Sequence, residues 1–550
     1  MTAPRPTSPV EPSSPTAPDP AALDPAAPDP AAPARDARTV TRAELPAQVE
    51  AHLAAGHRLA LVDAHDDGAP GFRVVYAFAD PATDRRTELT VAVPRDDAWV
   101  PSLSTISFPA GRFERAIRDG FGIEPRDHVR PRRLTRHAHW PAGWYPMRGD
   151  AATDPAFGPD ESGFAFVPVE GQGVYEIPVG PVHAGMIEPG HFRFSVVGET
   201  IVRMKARLWF VHRGLEKHLQ GRTPEQALPL TERISGDTAV GHALTFAMAV
   251  EDALGIEVGE QDRLVRALLL ELERLHCHVA DLGAMANDVG LGILQTHTLR
   301  LREQLLRSNA LVTGHRLLRG GIGIGSAGLR ALPDVELVRS VAAEVAELVR
   351  IALGTAVLVD RFTGTAVLHR QQAAEMGVLG YVARASGLDV DARRDHPFVD
   401  LGTSFQVCTA ETGDAMARFT VRADEVAVGA ALIADLVDRL GGHLGTGAAT
   451  PDLRAPADDA AGAEYAAGAE PVDDDVPTPA AHGLALVEAW RGTACHRVEL
   501  DAAGRLTRAA IVDPSFFTWP ALPVALADTI VPDFPLANKS FNQSYAGNDL

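Results

Sequence analysis

Apolar and polar positions repeat with two different periods along this chain, and the change of period divides it. Between residues 39 and 150 the apolar runs are short: Leu59-Ala60-Leu61-Val62, Phe72-Arg73-Val74-Val75-Tyr76-Ala77-Phe78 and Leu89-Thr90-Val91-Ala92-Val93, separated by Gly, Asp and Pro turns. Runs of this kind predict strands joined by turns. With the helical stretches between them they predict a small α+β domain over 39–150. From about 255 to 440 the period lengthens. Leu264, Leu268, Leu272, Leu275, Val279 and Leu282 step by three or four along one face, which predicts a long helix in a mostly helical body. The chain as a whole reads as α+β, with a mostly α-helical second domain over 170–550 that carries minor β structure.

Two segments follow neither period. Residues 1–38 are built from Pro, Ala, Asp, Ser and Thr, and cannot bury enough surface to offset the entropy of ordering them. They are expected to form a disordered tail. Residues 446–481 have the same character and interrupt sequence that resumes as Leu484-Ala485-Leu486-Val487-Glu488-Ala489-Trp490, so they are expected to be a surface insertion.

Charge and cysteine content narrow the function classes. The 51 basic and 72 acidic side chains leave a formal charge of -21, which repels nucleic-acid phosphates, so no nucleic-acid partner is expected. Cys277, Cys408 and Cys495 have no CxxC spacing, which argues against a disulfide framework and against a thiolate metal site within the chain. That usage fits a reducing cytoplasm. The longest apolar runs, such as Thr238 to Val250, fall short of the roughly 18 residues of a membrane span, so any membrane association is expected through partners. The run Gly320-Gly321-Ile322-Gly323-Ile324-Gly325 does not match a dinucleotide-binding GxGxxG with a following acidic residue and reads as a tight loop.

Five blocks carry more specific information. Gly180-Pro181-Val182-His183 leads to Glu188-Pro189-Gly190-His191-Phe192. Then follow His212-Arg213-Gly214-Leu215-Glu216-Lys217, Glu232-Arg233-Ile234, Glu273-Arg274-Leu275-His276, and Arg384-Ala385-Ser386-Gly387 with Asp391, Arg393, Asp395, His396, Pro397 and Phe398. In this order they resemble the large subunit of the [NiFe] hydrogenases of the formate hydrogenlyase and hydrogenase-4 type, and the homologous quinone-site (49-kDa) subunit of respiratory complex I. The earlier stretch Phe113-Glu114-Arg115-Ala116-Ile117-Arg118-Asp119-Gly120-Phe121-Gly122-Ile123 and Trp140-Pro141-Ala142-Gly143-Trp144-Tyr145-Pro146-Met147-Arg148 resembles the 30-kDa subunit of complex I, fused here in front.

In the hydrogenases two CxxC pairs supply four thiolates to nickel and iron. The first pair aligns with Ser235 and Thr238, and the best register of the second places Ser544 and Gly547 at the thiolate positions. Asp513-Pro514-Ser515 imitates the start of the second motif but precedes Trp519-Pro520 and is set aside as a decoy. Hydroxyls are hard, poor ligands for nickel, so no nickel and no metal of the chain's own is expected. Glu188 aligns with a glutamate that hydrogenases use for structural magnesium, but the family's C-terminal histidine partner is absent, which favours a hydrogen-bonded structural role.

The resemblance leaves two uses for the cavity, a quinone pocket or a proton route. Candidate catalytic residues are Glu232, His242, Asp237, His183 and Arg233. Glu232 leads because its position carries protons in hydrogenases. His212 and Asp395 are further candidates, and each of these residues also reads as an ordinary structural partner of a neighbouring loop. Tyr545 is the candidate for quinone contact, since the tyrosine that complex I uses aligns with Gly236. His276 and His278 stand i, i+2 on a helix and are not expected to chelate one metal. The implied assembly has an iron–sulfur cluster in a small partner subunit, antiporter-like membrane subunits, and NADH or ferredoxin as donor. It would lie on the inner face of the cell membrane, this chain being peripheral. A structural or assembly subunit with no redox chemistry is the alternative.

Overall fold

In the computed structural model the described residues are 35–159, 164, 166–184, 187–447 and 481–550. Most of the expected tail and of the expected insertion, residues 1–34 and 448–480, lies outside them.

The three predicted strands form as Arg58–Asp66, Phe72–Ala79 and Arg86–Val93, an antiparallel meander. A fourth strand, Arg35–Thr39, pairs in parallel with Arg86–Val93 at the sheet edge. Residues 35–38 therefore correct the expectation of a tail running to 38. Their lack of apolar alternation is explained by the position, because Arg35 uses its length for ion pairs to Glu88 at 3.1 Å and Asp252 at 2.9 Å. The helix Phe108–Phe121 packs on this sheet. Its N-terminus is capped by the Ser107 hydroxyl, which accepts from the Ala110 N–H, and Gly122 ends it in a left-handed conformation.

The body is organised on the 29-residue helix Glu260–Asp288, packed between Gly292–Thr313 and Ala415–Leu440. The leucines from Leu264 to Leu282 are buried as the spacing predicts, but the other faces are buried too. Its charged residues are matched in the interior. Arg266 pairs with Glu251, Arg274 with Glu271, Asp281 with Arg422 at 3.0 Å, and His278 with Glu425 at 2.7 Å.

Two three-stranded antiparallel sheets follow, Val174–Val179, His191–Val197 and Thr200–Arg207, then Ala481–Ala489, Gly492–Leu500 and Leu506–Val512. The last of these joins the two predicted regions. Leu484, Leu486, Cys495 and Val512 share one apolar core with the N-terminal sheet. Arg508 crosses between them to Asp63 at 2.6 Å, and Arg73 to Glu499 at 3.0 Å.

Candidate functional site

The strands Ala481–Ala489 and Gly492–Leu500 are joined by only two residues, Trp490 and Arg491, and this hairpin tip is driven into the body. Trp490 stacks on Tyr381 with ring centroids 6.1 Å apart, and the Arg491 guanidinium lies 4.0 Å from the Trp490 ring centre. The approach is close enough to require glycine at residue 380. A Cβ there would stand 1.9 Å from the Arg491 carbonyl oxygen, and the backbone has φ +64°.

Arg491 meets the segment that aligns with the first lost cysteine pair. Its two terminal nitrogens donate to the Asp237 carboxylate at 2.6 and 2.7 Å, and its Nε donates to the Asn542 carbonyl at 2.6 Å. Burial raises the Asp237 pKa, but the Arg491 charge outweighs it and holds the carboxyl down at about 2. Thr238 Oγ1 accepts from Trp490 Nε1 at 3.1 Å and lies 3.3 Å from both Arg491 and Asp237.

The segment of the second lost pair arrives from the other side. Ser544 caps the short helix Tyr545–Asp549, its Oγ accepting from the Gly547 N–H at 2.9 Å. The same oxygen is 2.8 Å from Ser235 Oγ. Ser235 donates to Asp237 at 2.9 Å, so its bond with Ser544 has Ser544 as donor. A continuous chain results, from Gly547 through Ser544, Ser235 and Asp237 to Arg491. All four positions read from the sequence as lost metal ligands thus fall in one cluster.

Gly547 has a neighbour that the sequence does not suggest. A Cβ there would lie 2.3 Å from an Asp513 carboxylate oxygen. Asp513 also bonds His242 Nε2 at 2.9 Å, and His242 Nδ1 lies 3.1 Å from His496 Nε2. Ser515 accepts from the Ser544 N–H at 2.9 Å. Asp513-Pro514-Ser515, a decoy by its place in the sequence, therefore lines the cluster. Burial raises the Asp513 pKa, yet the His242 bond and charge bring it below the ordinary value.

These residues do not fit nickel. The place of one thiolate is filled by the Asp513 carboxylate, three are hydroxyl positions bonded within the cluster, and a fixed guanidinium stands where added positive charge would be repelled. Among the described residues no group of three or more His, Cys, Asp and Glu is placed to hold a metal ion. Cys277 is brought beside the first segment, its thiol donating to the Asp237 carbonyl at 3.5 Å, but burial pushes that thiol well above its ordinary pKa.

The other predicted residues scatter around the cluster. Glu188 accepts from the Ala546 N–H at 2.9 Å and so anchors the short helix. The His183 and Tyr545 rings lie 6.2 Å apart; among the described residues His183 Nε2 has no hydrogen-bond partner, while the Tyr545 hydroxyl has the Asn538 side chain beside it. Burial pushes the Tyr545 phenol up. Glu232 is turned to the Gly320 loop, accepting from the Gly320 N–H at 2.5 Å, and burial raises its pKa. Arg233 donates to the Pro229 carbonyl. Among the described residues neither Glu232 nor Arg233 bonds the cluster. His212 Nδ1 contacts the Asp549 carbonyl at 2.6 Å, and Asp395 accepts from the Asp391 N–H at 3.0 Å. His276 faces Cys277 while His278 faces Glu425, on different sides as their spacing predicts.

Glu273 is the acid that sequence reasoning places in a motif but not in the site. Burial pushes it up to about 8, opposed by the Val240 and Gly241 N–H groups it accepts from at 2.7 and 3.0 Å, and the Asp237 charge pushes it further. The only sequence signal for Arg491 is a Trp-Arg-Gly turn between two apolar runs.

A fused α+β unit, a body built on one buried helix, and two motif segments that meet in one cluster define a protein of the hydrogenase-large-subunit type. Comparison agrees. Residues 39–156 match the family of the respiratory-chain NADH dehydrogenase 30 Kd subunit, 288–549 that of the 49 Kd subunit, and 213–282 the nickel-dependent hydrogenases. The chain is 31% identical to hydrogenase-4 component G of Escherichia coli, over 83% of this chain and 77% of that one. It is 29% identical to the fused C/D polypeptide of the NADH-quinone oxidoreductase of Phocaeicola vulgatus, over 68% and 77%. The chain belongs to this family of complex I and hydrogenase large subunits. The fold is also that of a chain of the membrane-bound sulfane sulfur reductase, an archaeal respiratory membrane complex, with a TM-score of 0.57 at 22% identity, over 70% of this chain and all of that one.

Proposed function

We propose that the chain is a non-nickel subunit of a membrane-associated, complex I-like or hydrogenase-related oxidoreductase. In this reading it couples electron arrival from an iron–sulfur partner to quinone or proton chemistry at the hydroxyl cluster. The observation that carries it is the bonded chain from Ser544 through Ser235 to the Asp237–Arg491 pair, a polar path kept in order where thiolates are lost. Beside it, His183 Nε2 has no partner among the described residues and supplies hydrogen-bonding capacity for a quinone carbonyl, with the Tyr545 phenol next to it. Glu273, pushed up to about 8 by burial, supplies a group that can hold and release a proton, and the Asp237 carboxylate held down by Arg491 supplies a fixed negative charge. No helix among the described residues is long and apolar enough to cross a membrane, so the antiporter-like membrane subunits of the proposed assembly would hold the chain to the inner face.

The test is the native complex, purified and assayed for turnover with Asp237→Asn, Glu232→Gln and Tyr545→Phe. Loss of turnover in Asp237→Asn with the complex intact supports redox coupling at the cluster. Unchanged turnover in all three supports the assembly-subunit reading, which the saturation of Arg491 by structural bonds favours.

A further inference from the structure

The short helix that carries Gly547 into the hydroxyl cluster carries Asn548 and Asp549 into a separate cavity between the N-terminal unit and the body. Counted over positions a water centre can take, its volume is about 150 Å³. At roughly 10–15 Å³ per water that is room for on the order of ten waters, or a molecule of about 300 Å³. The walls are apolar and aromatic, with Val62, Ile117, Phe121, Met147, Trp209 and Phe516 contributing.

The charges around it are settled internally, apart from Asp63 Oδ2, which has no hydrogen-bond partner among the described residues, and Lys217. Arg508 is closed by Asp63 and Glu216 at 2.6 and 2.8 Å. Asp119 accepts from the N–H groups of Leu134, Thr135 and Arg136 at 2.6, 2.9 and 3.1 Å. Asp549, which burial pushes up to about 6, accepts from the Val211 N–H at 3.2 Å and from Asn548 at 2.8 Å. Lys217, exposed at the lining, differs. It has one hydrogen bond, to the Arg148 carbonyl at 3.3 Å, and among the described residues it forms no ion pair. Its ammonium keeps donors for a ligand oxygen at the edge of an apolar chamber.

We propose that this cavity is a second ligand site, taking a compact one- or two-ring aromatic molecule whose edge carries a carbonyl or carboxylate oxygen. The rings lie among the apolar side chains and the oxygen accepts from Lys217. This does not depend on what the hydroxyl cluster does, and the two readings fail separately.

Binding is measured on the full chain by quenching of tryptophan fluorescence, since Trp140 and Trp209 line the cavity, with calorimetry in parallel. The probes are 1-naphthoate, 2,3-dimethyl-1,4-naphthoquinone and 1-naphthylmethylammonium. At least one of the two oxygen-bearing probes should saturate a single site, and the ammonium probe should not bind. The stronger of the two identifies the oxygen as carboxylate or carbonyl. Lys217→Met should weaken that probe at least tenfold, and Ala116→Trp, which fills the chamber, should abolish it. If Ala116→Trp fails to fold by circular dichroism, Ile117→Phe takes its place. No saturable binding of either oxygen-bearing probe up to millimolar concentration overturns the proposal. So does binding that survives filling of the chamber, or that is indifferent to Lys217.

Discussion

Arg491 and Asp237 are 254 residues apart in the chain and face each other through two parallel hydrogen bonds, 2.6 and 2.7 Å long. The arginine is buried while about a third of the aspartate side chain, 36%, stays exposed. The pair ties a hairpin of the C-terminal sheet to the start of the helix Ala239–Leu254, and through Asn542 to the C-terminal segment. Each partner is held by the other's charge, Asp237 well down and Arg491 well up, against the cost of burial.

Losing the first partner should therefore cost more than losing the second once the first is gone. Arg491→Met is expected to destabilise by about 2–4 kcal/mol, since it strips a buried network. Asp237→Asn should cost less than loss of a fully buried carboxylate, because solvent reaches that side chain. The double variant should fall short of the sum by at least about 1 kcal/mol in a denaturant-unfolding cycle. Additive losses would mean that the pair is not coupled.

The fold is readable where burial follows local pattern, and unreadable where it depends on distant partners. Phe72–Phe78 and Leu89–Val93 announce their strands, and Ser235, Thr238, Ser544 and Gly547, singled out by motif register, lie in one cluster. Arg35–Thr39 is polar because it is an edge strand satisfied by Glu88 and Asp252, which no local window shows. The helix Glu260–Asp288 reads as amphipathic, yet its charged faces are interior because Glu425 and Arg422 arrive from another helix to match them. Asp513 misleads for the same reason, since its role comes from contact with His242 and Gly547 and not from its place in the motif.

Restoring the four thiols should not restore a metal site. In Ser235→Cys, Thr238→Cys, Ser544→Cys, Gly547→Cys the last substitution drives a Cβ into the Asp513 carboxylate. Gly547→Ala alone should cost about 1–3 kcal/mol by overpacking. Elemental analysis of the quadruple variant should find no stoichiometric nickel, and stoichiometric nickel would show that the cluster can open.

Glu273 makes a contribution of definite sign to the pH dependence of stability. Its folded pKa of about 8 lies above the ordinary 4.5, so the folded state binds more protons between those values. Stability from this group is complete below about pH 4.5 and is lost as pH rises towards 8, by on the order of a few kcal/mol. Glu114, pushed up to about 7 by burial, acts in the same direction. Buried His65 and His276, both held down to about 3, act in the opposite direction below about pH 6.5, so the test is a difference: relative to the parent, the thermal midpoint of Glu273→Gln should rise from pH 5 to pH 8. A difference between variant and parent that stays constant over this range contradicts the assignment.

The three thiols give a last, simple check on the packing around the cluster. Cys277, Cys408 and Cys495 are all buried and unpaired by disulfides, and burial pushes the second and third up to about 12 and the first well above its ordinary value. Thiolate is the reacting species, so both access and ionisation are suppressed. A water-soluble disulfide reagent at pH 8 should label none of them in the folded protein within minutes and all of them in denaturant. Arg491→Met loosens the floor beneath Asp237, whose carbonyl accepts from Cys277, so that thiol should become the first to react. Rapid labelling of Cys277 in the unaltered protein would mean that the cluster is open to solvent from within.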